Sequence, residues 1–168
     1  MRIKLCLLVL LTVACGKPFW HARPVVSEPF PEPSSPTGIQ AISIERDPCM
    51  DTSCRTYRYT YHRDGRAIYD SLSSVDARLV QRATASLDPA TFASVARRVF
   101  DRGFFRLQPV YSTGTTDVTY VTVRAVLPDT IKTVVEEEAV GPAALHEIQG
   151  VLDSIGSRLS WQVVPRSN

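Results

Sequence analysis

Nowhere does this chain run apolar for the eighteen or more residues that a membrane-spanning helix requires; its longest such stretch, Leu5 to Val13, is about half that length. A retained membrane span is therefore not expected. The chain also lacks the short signatures of common catalysis. It has no His-Glu-x-x-His, no phosphate-cradling glycine loop and no Gly-x-Ser-x-Gly elbow. Histidine is scarce, with only three, and no second cysteine pair accompanies Cys49 and Cys54 to complete a four-ligand zinc site. No cofactor or metal is called for by these residues. Lysine is also rare, at 3 against 16 arginines, a bias compatible with anion recognition and equally with genome composition.

What is present begins at the N-terminus. Arg2 and Lys4 precede the apolar stretch, and Leu11-Thr12-Val13-Ala14-Cys15 closes it with a small residue followed by cysteine. This is the grammar of an export signal. The segment resembles the lipobox of bacterial lipoproteins, in which a diacylglycerol is joined to the cysteine sulfur and the chain is cut before that cysteine. Residues 1–14 are thus expected to be a signal peptide and Cys15 the lipidation site, with plain secretion as the competing reading. The expected location is the cell envelope, anchored by lipid to the outer or inner membrane facing the periplasm, or at the cell surface. Loss of Arg2 and Lys4 leaves 17 basic side chains against 17 acidic ones, so a nucleic-acid partner has no electrostatic support. The balance is uneven along the chain. Residues 46–106 hold 11 arginines against 7 aspartates, and residues 107–168 hold 4 basic against 7 acidic groups.

With Cys6 in the signal and Cys15 lipidated, Cys49 and Cys54 are the thiols left in an oxidising compartment, and a disulfide between them is the default reading. A redox-active pair and a zinc site with His62, Asp47 and Asp51 remain as alternatives. Gly16 to Gly38 carries six of the chain's twelve prolines and cannot build a core, so residues 15–38 read as a Pro-rich tether. Phe19, Trp20 and Phe30 within it are candidates for contact with a membrane interface.

Residues 39–164 are expected to form one α+β domain. Ile42 and Ile44 alternate with Ser43 and Glu45, and Tyr57, Tyr59 and Tyr61 alternate with Arg58, Thr60 and His62. Asp64-Gly65 supplies a hairpin turn into Ala67-Ile68-Tyr69, and Arg78 to Ser86 reads as a further strand, with a helix as the alternative. Asp88-Pro89 opens a helix carrying Phe92, Val95, Ala96, Val99 and Phe100 on one face, ended by Gly103. Strands are predicted over Thr119 to Val126 and Ile131 to Glu136. A second helix follows Gly141-Pro142 with a seam of Leu145, Ile148, Leu152, Ile155 and Leu159, and Trp161 to Val164 returns as an edge strand. The architecture predicted is an antiparallel sheet of about 5–7 strands with two helices packed on one face.

Cys49 and Cys54 ahead of the tyrosine strand, Asp64-Gly65, Leu87-Asp88-Pro89 with Phe92, Gly103-Phe104-Phe105-Arg106-Leu107, Tyr111, Thr116-Asp117 and Gly141-Pro142 with Leu145 form an ordered series. In this order they resemble the bacterial domain-of-unknown-function family numbered 6438, across nearly the whole globular part. The resemblance implies an envelope lipoprotein without an assigned activity and transfers no catalytic residue. The chain departs from that family's shorter cysteine spacing and following proline, having four intervening residues and Arg55.

Two functions follow as expectations. The first is a non-enzymatic binding domain for another envelope component: a protein, peptidoglycan or a small ligand. The alternative is an envelope enzyme, hydrolase-like, with a site near Asp117, Tyr111 and the His62 strand. His146 and the run Glu136-Glu137-Glu138 are read as solvated.

Overall fold

Alternation with period two becomes a sheet whose strands each place apolar side chains on the same side. A computed structural model describes residues 30–47, 56–114, 118–137 and 139–165. Cys15, Cys49, Cys54 and Asp117 lie outside the described residues. The strands are β1 (Ala41–Asp47), β2 (Thr56–His62), β3 (Arg66–Leu72), β4 (Leu79–Ser86), β5 (Val110–Tyr111), β6 (Tyr120–Val126), β7 (Ile131–Glu137) and β8 (Gln162–Val163). Helix α1 spans Pro89–Asp101 and α2 spans Ala143–Gly156.

The α+β class is as expected, but among the described residues the sheet has eight strands in the order β5-β7-β6-β1-β2-β3-β4-β8, more than the five to seven anticipated. The excess lies at its edges. β5 is two residues long, too short to show any period, and it pairs parallel to β7, so the sheet is not wholly antiparallel. The remaining neighbours are antiparallel.

The core joins Ile42, Ile44, Tyr61, Val121, Val123 and Val134 of the sheet to Phe92, Val95 and Val99 of α1 and Leu145, Ile148 and Leu152 of α2. The buried Tyr61 hydroxyl donates to the Leu152 carbonyl at 2.7 Å and so ties β2 to α2. Burial raises that hydroxyl's pKa far above its ordinary value. At the start of α1 the Asp88 side chain accepts from the Thr91 N–H at 3.1 Å, and Pro89 occupies the first turn, where its missing donor costs nothing. Gly103 takes φ +67° just past the helix, a left-handed conformation that reverses the chain into the buried pair Phe104 and Phe105.

The chain contacts the domain before residue 39. Phe30 stacks on Phe105 at 6.1 Å, and the Lys132 ammonium lies 5.3 Å from its ring centre. Lys132 is itself buried, donating to the Leu107 carbonyl at 2.6 Å, and burial lowers its pKa. A short 3-10 turn, Pro36–Gly38, then rests against α1.

Gly150 sits exposed in mid-α2, and a Cβ there would meet open space. Gly150→Ala is expected to stabilise the domain by about 0.5–1 kcal/mol through helix propensity. A raised urea midpoint with unchanged slope would show it, and an unchanged or lowered midpoint would refute it.

Candidate functional site

The two described residues of the alternative enzyme site do not meet. His62 ends β2 opposite Ala41, while Tyr111 lies in β5 opposite Glu136, four strands away and toward the other end of the sheet. Strand spacing and rise place them on the order of 25 Å apart. Burial and the nearby Arg66 lower the His62 pKa against the opposing pull of Asp64, and its Nε2 has no hydrogen-bond partner among the described residues. The Tyr111 hydroxyl oxygen accepts from the Gln108 N–H at 3.2 Å. The residues flanking the cysteine segment are joined directly, Thr56 Oγ1 donating to Asp47 Oδ1 at 2.9 Å.

Glu136 is not the solvated group that the sequence pattern predicts, whereas His146 keeps 38% of its side chain exposed. Glu136 is fully buried. Its carboxylate accepts from the Gly141 N–H at 2.7 Å, from the Gln149 amide and from His146 Nε2 at 2.5 Å. The cause is local geometry. Glu136 lies two residues from Val134 on β7 and so points to the same side, that of the core, where the first turn of α2 presents unsatisfied N–H groups and the positive end of its dipole. His146 and Gln149, three apart on α2, share the side of the helix that meets it. A Cβ on Gly141 would lie 2.8 Å from Glu136 Oε1, so only glycine allows this approach without displacement.

Farther along α2, Asp153 Oδ2 accepts from Arg46 Nε at 2.9 Å and Nη2 at 2.5 Å. Burial and the Asp153 charge push the adjacent Tyr57 hydroxyl up to about 12 despite the opposing effect of Arg46. Tyr57, Tyr59, Tyr69 and Trp161 form one aromatic group, with Tyr59 stacked on Trp161 at 5.6 Å and 15°. The Trp161 indole donates to the Gly156 carbonyl at 2.9 Å. The tyrosines that share a face in the sequence pattern therefore divide: Tyr61 belongs to the core and the others to a half-buried cluster.

The other face of the central strands carries a charged row that no local pattern in the sequence announces. Glu45, Arg58, Asp70 and Arg82 stand directly opposite one another across β1, β2, β3 and β4. Arg82 grips Asp70 with two bonds, at 2.6 and 3.0 Å, and Arg58 reaches Asp70 at 2.9 Å and Glu45 at 3.3 Å. Arg124 of β6 completes the row, reaching Glu45 at 3.1 Å. Charge alternates along it and leaves one positive in excess. The Asp70 side chain is only 3% exposed, whereas Arg58 and Arg124 are each 33% and Arg82 43% exposed. Each member sits at an outward position in its own strand. That was the available signal, but only the register reveals that the positions coincide.

Among the described residues, no cluster of three His, Cys, Asp or Glu side chains is placed to hold a metal ion, and no helix is long and apolar enough to cross a membrane. The fold and this charged sheet surface define an α+β domain built on one mostly antiparallel sheet. The family model described as "Domain of unknown function (DUF6438)" matches residues 40–156. The chain belongs to that family. No curated protein matches it.

Proposed function

We propose that this chain is a lipid-anchored protein of the bacterial cell envelope, and that its domain is a non-enzymatic module binding another envelope component. In this reading Cys15 carries the lipid, Cys49 and Cys54 form a disulfide, and both helices lie on one face of the sheet. The opposite face is left to a partner. The observation that carries the binding role is the row Arg82–Asp70–Arg58–Glu45–Arg124. Its side chains are held by one another before any partner arrives, so association does not have to order them. Alternating charge across the sheet face also favours a partner with the complementary pattern over others.

Photocrosslinkers at Thr60 and Thr133, on the charged face, are expected to give the same adduct in intact envelopes. The adduct should vanish at about 0.5 M salt, where surface charges are screened over a few ångströms. A crosslinker at Arg78, 79% exposed in the β3–β4 turn, serves as the reference and should give none. Failure of both charged-face positions to crosslink sinks the binding surface. An unmodified Cys15 at the mature N-terminus, read by mass spectrometry, sinks the anchor.

A further inference from the structure

We propose that the arginine-bearing side of α1 is a docking surface for anionic phospholipid headgroups; this rests on the lipid-anchor reading above. Arg97 and Arg98 are exposed on α1 and have no ion-pair partner among the described residues. Each borders a groove. One, of about 560 Å³, runs between α1 and the 3-10 turn and is lined by Pro36, Thr37, Arg63, Ala93 and Arg97. The other, of about 410 Å³, lies between α1 and α2 and brings Arg98 together with Arg158. The acids nearby offset these charges only in part. Glu147 pairs with Arg102 at 2.6 Å, and Asp88 beside the Arg98 groove and Asp101 one turn from Arg97 and Arg98 leave the set Arg63, Arg97, Arg98 and Arg158 with two positive charges in excess. On the turns of α1 before the arginines the exposed residues are small, Ala90, Ala93 and Ser94, so a flat surface can approach the helix closely.

The route of the chain selects a membrane as the occupant. Pro36 and Thr37, which lead back toward Cys15, line the same groove as Arg97. The residues from Cys15 to Phe30 span at most about 50 Å when fully extended. A lipid on Cys15 therefore keeps the domain within reach of headgroups, and the excess positive charge on α1 turns this side toward them. Each arginine brought near an anionic bilayer surface strengthens attachment roughly fivefold. The charged sheet face is then free to meet a partner while α1 meets the bilayer.

The test uses the mature lipidated chain in vesicles of phosphatidylcholine alone or with about 30 mol% phosphatidylglycerol. Phenylglyoxal modification of each arginine is read by mass spectrometry. Labelling of Arg97 and Arg98 is expected to fall about fivefold on the anionic vesicles and to recover in high salt, with Arg78 unchanged. Arg158, which shares the Arg98 groove, should be protected with them, and in the exposed double variant R97E/R98E that protection should disappear. Equal labelling of Arg97 and Arg98 on the two vesicle types overturns the proposal, as does protection by isolated peptidoglycan in place of vesicles. A chain that fails to float with neutral vesicles refutes the anchor, while labelling on the anionic vesicles still decides the docking surface.

Discussion

Glu136→Leu is expected to lower the stability of the domain by about 3 kcal/mol. Leucine removes the acceptor and keeps its neighbours. The Gly141 N–H and the Gln149 amide are then left facing hydrocarbon, and His146 loses the group that orients it. Exchanging a whole polar network for apolar residues is often nearly neutral, but removing one member strands the others. Glu136→Gln should cost less, about 1–2 kcal/mol, because one oxygen still accepts while its new amide faces other donors. The damage should spread along α2, whose first turn depends on this carboxylate and whose later turns hold Arg46 and Tyr61. Hydrogen exchange is expected to show α2 amides losing protection before those of β2 and β3. A Glu136→Leu protein as stable as the parent in urea would mean that the network contributes nothing net.

The same residue marks the boundary of what the sequence discloses. The tyrosine alternation, the Asp64-Gly65 turn and the Asp88-Pro89 helix start are local signals, each set by neighbours a few residues away, and each appears in the structure where the pattern puts it. β5 escapes because two residues carry no period and its pairing with β7 is made across the intervening β6 hairpin. Glu136, in a run of three acids, has the local appearance of a solvated strand end. Its burial is decided by where α2 lands, which is a property of the packed chain. His62 and Tyr111 show the converse: both are chemically apt, and the strand order separates them. The charged row is the clearest case. Glu45, Arg58, Asp70 and Arg82 are each unremarkable outward residues until four strands take one register.

Removing Asp70 from that row is expected to cost about 2–3 kcal/mol. Asp70→Ala leaves Arg82 without its two bonds and Arg58 with Glu45 alone. The penalty of an unpaired buried charge is reduced here because both guanidinium groups keep access to water. A pH series separates this electrostatic contribution from lost packing. Burial alone would raise the Asp70 pKa, but the hydrogen bonds from Arg82 and Arg58, and their charges, together outweigh it and hold the carboxyl below its ordinary value of 3.8. A carboxyl depressed on folding contributes stability that is complete above its unfolded pKa and lost as the pH falls toward and below the folded one. The parent chain should therefore lose stability as the pH drops below about 4, and Asp70→Asn, which keeps the shape without the charge, should lose less. Urea midpoints for the two proteins are expected to differ most near pH 7 and to converge in acid. A gap that stays constant down to about pH 2 would assign the effect of Asp70 to shape and hydrogen bonding, and the row would then be a packed feature of the sheet and not an electrostatic one.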